Sequence, residues 1–155
     1  MKSRITYRTN VATFAQIAEH LALCDAAFQP PLSHRLVITD YAKKIADKAT
    51  RFEAWSNDSL VGLLAAYCDA TESDSAYITS VSTLGEWSGN GIARSLLERC
   101  LAYAAAGGIK QIRLQVATDS ARAYRLYEQH GFIAGESDGT FMTMHLALKQ
   151  GNDNE

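Results

Sequence analysis

The sequence predicts a mixed α/β fold, a sheet with helices on both faces, and three observations carry that expectation. Apolar residues alternate at strand spacing in some short runs and recur at helical spacing in others, in the order β-α-α-β-β-β-α-β-α-β-β. The stretch Ala76 to Ala106 reads as strand, glycine-bearing loop and amphipathic helix in direct succession. Turn-forming residues separate the runs, with no linker, repeat or low-complexity segment between them. A chain of 155 residues buries roughly 68–70% of its unfolded surface in one core. Residues 1–150 are therefore expected to form a single domain, with residues 151–155 as a disordered tail.

Ile5 to Arg8 is a short alternating strand. A helix is expected from near Val11 to Ala27, with Thr13 and Gln16 at capping-box spacing and Phe14, Ile17, Ala18 and Leu21 on its apolar stripe. Phe28 to Ser33 contains Pro30 and Pro31, each of which pushes its predecessor into an extended conformation, so the helix stops there. A second helix begins near Thr39, a residue able to cap it. It carries Tyr41, Ala42, Ile45, Ala46 and Ala49 on one side and Lys43, Lys44 and Lys48 in solvent. Arg51 to Trp55 and Leu60 to Ala70 form a hairpin across the turn Ser56 to Ser59, and residues 71–74 turn into the next strand. Later come strands at Phe132 to Gly135 and Phe141 to Leu148, turning at Ser137, Asp138 and Gly139.

In the central stretch, Tyr77, Thr79, Val81 and Thr83 share one strand face. Ile92, Ala93, Leu96, Leu97, Cys100, Leu101 and Ala104 line one side of the helix, which ends at Gly107 and Gly108. Gly89 and Gly91 leave the backbone bare where the first helical N–H groups have no intrahelical partner, and such an end is a site for phosphate. A P-loop is excluded because Gly91 is followed by Ile92 and Ala93 with no lysine in the turn. A dinucleotide fingerprint is excluded because Arg94 stands where its third glycine belongs and no acidic residue follows at about 20 residues.

Ser88-Gly89-Asn90-Gly91-Ile92-Ala93 instead resembles the acyl-CoA loop of the GCN5-related N-acetyltransferase superfamily, Gln/Arg-x-x-Gly-x-Gly/Ala, with Ser88 departing at the first position. A second segment, Ile112 to Phe132, resembles that family's strand-and-helix signature, and Tyr127-Glu128-Gln129-His130-Gly131-Phe132 follows its Tyr-Glu-Lys-x-Gly-Phe closely. Ser120 stands where the family has asparagine. The resemblance implies a mostly antiparallel sheet of about six to seven strands with splayed central strands and about four helices. It also implies acetyl-CoA as co-substrate, with no metal. The N–H groups of Gly89, Asn90, Gly91, Ile92, Ala93 and Arg94 would hold the pyrophosphate, and Val81, Ser82 and Thr83 the pantetheine and the oxyanion. Ser120 and Tyr124 would add cofactor contacts, and Tyr127 would protonate the departing thiolate. Ser120 and Tyr127 lie two helical turns apart, roughly 10 Å along the axis, with Tyr124 between them.

The amine's base is less defined. Gln115 occupies one usual position and cannot accept a proton, and the strand Tyr77 to Thr83 holds no carboxylate. Glu53, Asp119, His34, waters held by Ser80 and Ser82, or the substrate's own basicity are the substitutes, with water favoured. Phe28 and His34 are candidates for the acceptor pocket, since the first helix–helix connection serves that purpose in the family. His20 and Cys24, at i, i+4, are read as helix surface and a small apolar thiol rather than a metal chelate. Trp87 is read as packing the loop.

Net charge is −2, from 15 basic and 17 acidic interspersed residues, which disfavours nucleic acid and anionic membrane as partners. No stretch approaches 18 apolar residues, no signal peptide precedes the first strand, and Cys24, Cys68 and Cys100 are scattered. These features fit a cytoplasmic protein with reduced thiols. The expected activity is transfer of acetyl from acetyl-CoA to a primary amine, of a small molecule, by direct attack. The alternatives are a protein N-terminal or lysine acetyltransferase, and a sensor or partner domain that keeps the acyl-CoA loop without turnover. The apolar 141–148 segment permits a homodimer.

Overall fold

A computed structural model describes residues 4–68 and 74–149. Its elements are β1 (Thr6–Thr9), α1 (Phe14–Leu23), α2 (Ile38–Lys48), β2 (Thr50–Ser56), β3 (Ser59–Tyr67), β4 (Ser75–Thr83), α3 (Ile92–Ala106), β5 (Gln111–Ala117), α4 (Ala121–Gln129), β6 (Ile133–Ser137) and β7 (Phe141–Ala147). Short 3₁₀ turns sit at Asp25–Ala27, Leu32–His34 and Gly85–Trp87. This is the element order read from the sequence. The strands form a mixed, mostly antiparallel sheet in the order β1-β2-β3-β4-β5-β7-β6, with β4 and β5 parallel. The β4–β5 register runs from Ser75–Gln111 to Ile78–Leu114 and extends no further among the described residues, as expected of central strands that splay.

The chain divides into two compact units. One contains the described residues up to Ala66 with Ser80–Cys100, and the other Tyr67–Thr79 with the described residues from Leu101 onward. In the first, β2 alternates its side chains between two helical layers. Arg51 Nη1 and Nη2 donate to the carbonyls of Ala46 and Ala12, at 3.2 and 3.0 Å, on the α1–α2 side. The opposite face is pressed against α3, where a methyl added at Gly62 would come within 2.6 Å of Ile92 Cγ2 and 3.2 Å of Ala54 Cβ. Ile17, Leu21, Ile45, Leu63, Leu64, Leu96 and Leu97 fill this core. In the second unit, β5 and β7 pair along their whole lengths, from Gln111–Ala147 to Ala117–Phe141.

Several local expectations are corrected. The first helix is shorter than its apolar pattern, because the chain tightens into the turn Asp25–Ala27 after Leu23. Phe14 is exposed rather than on the buried stripe, which runs through Ile17, His20 and Leu21. The capping box forms as read: Thr13 Oγ1 accepts from Gln16 N–H at 3.2 Å and Gln16 Oε1 from Thr13 N–H at 2.9 Å. Thr39 does not cap the second helix. Val37 holds the cap position without a side-chain bond, and Thr39 lies in the first turn. The expected turn at 71–73, the end of the strand drawn to Ala70, and the tail at 151–155 lie outside the described residues. Among the described residues no helix is long and apolar enough to cross a membrane.

Candidate active site

The loop ahead of α3 is built by local hydrogen bonds. Trp87 N–H donates to the Leu84 carbonyl at 2.8 Å and Ser88 N–H to the Gly85 carbonyl at 3.1 Å. Asn90 Nδ2 then donates to the carbonyls of Trp87 (2.9 Å) and Ser88 (3.3 Å). Trp87 is half-buried and enters these bonds through its backbone. Gly91 has φ +77°, a left-handed conformation that costs an L-residue about 1–2 kcal/mol, and the direction of its missing Cβ is open space. The first intrahelical bond of α3 runs from Ser95 N–H to the Gly91 carbonyl, at 3.0 Å. Helix geometry gives the amides of Ile92 and Ala93 no intrahelical acceptor, and the helix dipole adds partial positive charge there. Ser88, Gly89, Asn90, Gly91 and Arg94 are exposed, Ala93 is half-buried and Ile92 is buried. Ile92 therefore offers a ligand only its backbone.

Val81, Ser82 and Thr83 are all half-buried at the end of β4, where Leu84 N–H closes onto the Val61 carbonyl at 2.9 Å. Ser80 is buried, and its Oγ has no hydrogen-bond partner among the described residues. His20 overturns its sequence reading. It is not helix surface but 1% exposed, with Nδ1 2.9 Å from the Leu60 carbonyl and Nε2 2.9 Å from Ser82 Oγ. Burial pulls its pKa below 6.5, against the raising effect of hydrogen bonds to the backbone of Leu60 and of Ser82. Cys24 Sγ lies 3.7 Å from Nε2, and burial pushes its thiol up to about 11.

Glu53 is removed from the list of bases. It is fully buried and accepts from the N–H groups of Val11 and Ala12, at 3.1 and 2.9 Å, and from Trp55 Nε1 at 3.1 Å. Arg51 Nε adds an ion pair at 3.5 Å. The carboxylate fastens the start of α1 to β2. Phe28 and His34 lie on the α1–α2 connection, half-buried and exposed respectively. Asp25 pins that connection by accepting from Ser33 N–H and Oγ–H, both at 2.7 Å.

The second unit carries the downstream motif. Phe132 N–H donates to the Tyr127 carbonyl at 3.1 Å and Gly131 N–H to the Glu128 carbonyl at 3.0 Å, with Gly131 at φ +96°. This is a Schellman stop, and its usual apolar contact is present as the edge-on packing of Tyr127 against Phe132, with centroids 5.7 Å apart. The spacing of Tyr127, Gly131 and Phe132 therefore has a structural cause of its own. Tyr127 is 7% exposed, and desolvation pushes its phenol up to about 12. Tyr124 and Ser120 are half-buried. Ser120 occupies the N-cap of α4, but its side chain makes no cap bond. Gln115 and Asp119 are exposed.

The loop-to-helix site and this fold define a class, and comparison with known proteins identifies it. A profile of the acetyltransferase (GNAT) family matches residues 14–132, so the chain belongs to that family. Comparison with curated proteins found no match. Among solved structures, the chain is similar to the ribosomal-protein-S18-alanine N-acetyltransferase of Escherichia coli, with a TM-score of 0.76 and 19% identity over 98% of this chain and 99% of that one. It is similar to the PaiA N-acetyltransferase of Thermoplasma acidophilum, solved in complex with coenzyme A, with a TM-score of 0.73 and 15% identity over 93% and 99% of the two chains. A spermidine N-acetyltransferase chimera from Vibrio cholerae and hSSAT follows, with a TM-score of 0.71 and 22% identity over 94% and 96%. At these identities the likeness is one of fold.

Proposed function

We propose that this protein transfers an acetyl group from acetyl-CoA to a primary amine of a small molecule, by direct attack of the amine on the thioester. The observation that supports it most is the exposed start of α3, where helix geometry gives the amides of Ile92 and Ala93 no intrahelical acceptor beside the open space at Gly91. A diphosphate suits such an end in charge and in donor geometry. The family assignment and the coenzyme A bound by the Thermoplasma relative point to the same ligand. The thioester would then lie along β4, with a backbone N–H of Val81 or Thr83 donating to the tetrahedral oxyanion, a contact typically worth about 3 kcal/mol. Relatives act on acceptors as different as a ribosomal protein's alanine and spermidine, so the small-amine reading rests on this chain's own slightly acidic charge.

Tyr127 is proposed as the proton source for the thiolate. With its phenol near 12 and a free thiol near 8.5, complete transfer is uphill by roughly 5 kcal/mol. The phenol thus acts chiefly by donating a hydrogen bond to sulfur as the C–S bond breaks, with solvent completing the proton's delivery. Cys24, held as a thiol by burial, is unsuited to a covalent acetyl-enzyme route. The test is thiol release from acetyl-CoA with a panel of amines, spermidine and an alanine-terminated peptide among them. Amine-dependent release supports transfer. Coenzyme binding with no release above background identifies a sensor domain instead.

A further inference from the structure

We propose that Ser82 and His20 form a proton relay that takes the proton of the attacking amine, an inference that rests on the acetyl-transfer reading above. A backbone carbonyl only accepts, so the 2.9 Å contact between Leu60 O and His20 Nδ1 requires the proton to sit on Nδ1. In the neutral ring Nε2 then carries a lone pair, and Ser82, 2.9 Å away, is its donor. The arrangement is a hydroxyl hydrogen-bonded to an imidazole whose tautomer is fixed from behind, the geometry that lets a serine pass on a proton. The three groups, two side chains and the Leu60 carbonyl, come from different elements, α1, β3 and β4, and meet within one compact unit.

A second observation points to a ligand at this place. Ser80 shares the strand face of Ser82 two residues earlier, and its buried Oγ is without a partner among the described residues. Buried hydroxyls are normally satisfied. An orphan next to a donor already aligned on a base marks where a polar group of the acceptor, or its water, is received. Burial keeps the ring neutral near pH 7, and Cys24, whose Sγ lies 3.7 Å from Nε2 and whose side chain also bonds that of Ser82, stays protonated. The relay also answers the absence of a carboxylate on β4 and the commitment of Glu53 elsewhere.

The amine nitrogen bonds to the thioester carbon, and the carbonyl π pair moves to oxygen. The ammonium proton of that adduct passes to Ser82 Oγ while the Ser82 proton passes to His20 Nε2. Collapse of the oxyanion breaks the C–S bond, and the thiolate, hydrogen-bonded by Tyr127, takes one proton from solvent. His20 then returns its proton through Ser82 to water. Ser82 meets the substrate, and His20 acts through it.

The test compares wild type, His20→Gln and Ser82→Ala by steady-state thiol release from acetyl-CoA, with spermidine, an alanine-terminated peptide and, as the smallest acceptor, water. Glutamine can accept from Ser82 but cannot take up a proton. Ser82→Ala leaves the His20–Leu60 bond in place, so it reports on the relay even if His20→Gln fails to fold. The expected result for both is a kcat lowered by about 10²-fold or more, with the KM for acetyl-CoA within about twofold of wild type. A wild-type kcat in Ser82→Ala, or in folded His20→Gln, overturns the relay and leaves His20 as a structural tie. Wild-type protein that releases no thiol with any acceptor overturns the acetyl-transfer reading itself, and the relay with it.

Discussion

Glu53 and Tyr127 show how differently two buried ionisable side chains are used. Glu53 gathers three N–H donors, from Val11, Ala12 and Trp55, and an ion pair with Arg51, so Glu53→Ala would strand Arg51 and those three N–H groups. The expected loss is about 3–5 kcal/mol, the usual result of removing one partner of a buried pair, read from urea unfolding. A loss within the range of a surface substitution would contradict its anchoring role. Tyr127→Phe keeps the packing against Phe132 and removes only the hydroxyl. Turnover is expected to fall about 10²-fold with coenzyme affinity unchanged, and unchanged turnover would move the role to Tyr124 or to water. At this scale the sequence was legible where contacts are local. The Thr13–Gln16 box and the Gly89–Asn90–Gly91 loop close within a few residues and were read from spacing alone. His20 and Glu53 were misread because their partners, Leu60 and Ser82, Val11 and Ala12, lie 40 or more residues away. Only the fold brings them together.

At the scale of elements, the two helix ends that matter are set by single glycines in the left-handed region. Gly91→Val would strain φ +77° and fill the open space at the start of α3. Calorimetric titration should then show coenzyme A binding lost in a folded protein. Tight binding by this variant would displace the ligand from the loop. Gly131→Ala would strain the Schellman stop at φ +96° and bring Cβ within 3.1 Å of Leu146 Cδ1, destabilising by about 1–2 kcal/mol. Thermal melting measures it, and an unchanged midpoint would show that the helix stop tolerates a side chain. The order of elements was legible from periodicity and turn residues, because each strand and helix buries one face. Their ends were less so: the stop of α1 at Leu23 and the start of α2 at Ile38 depend on how the intervening connection is pinned by Asp25 and Ser33, which no local pattern records.

For the whole molecule, acid stability reports on the buried imidazole. His20 titrates below 6.5 in the folded state, so the unfolded chain binds the proton first. The stability that its neutral form contributes is complete above pH 6.5 and is lost as pH falls through the lower folded value. The groups bonded to the ring are the Leu60 carbonyl and the Ser82 hydroxyl, with the Cys24 thiol alongside, and none supplies a compensating charge. Asp25 and Asp138, both lowered from 3.8 by hydrogen bonds to their carboxylates, act only in a more acidic window. Urea midpoints should therefore fall from about pH 7 to about pH 5 in wild type and change less in His20→Gln. Equal pH slopes would contradict the buried, neutral ring. Amide resonances of the labelled protein titrated with coenzyme A locate the coenzyme, and the largest shifts are expected on Gly89 to Arg94. Saturable binding that leaves those amides unmoved would contradict that placement.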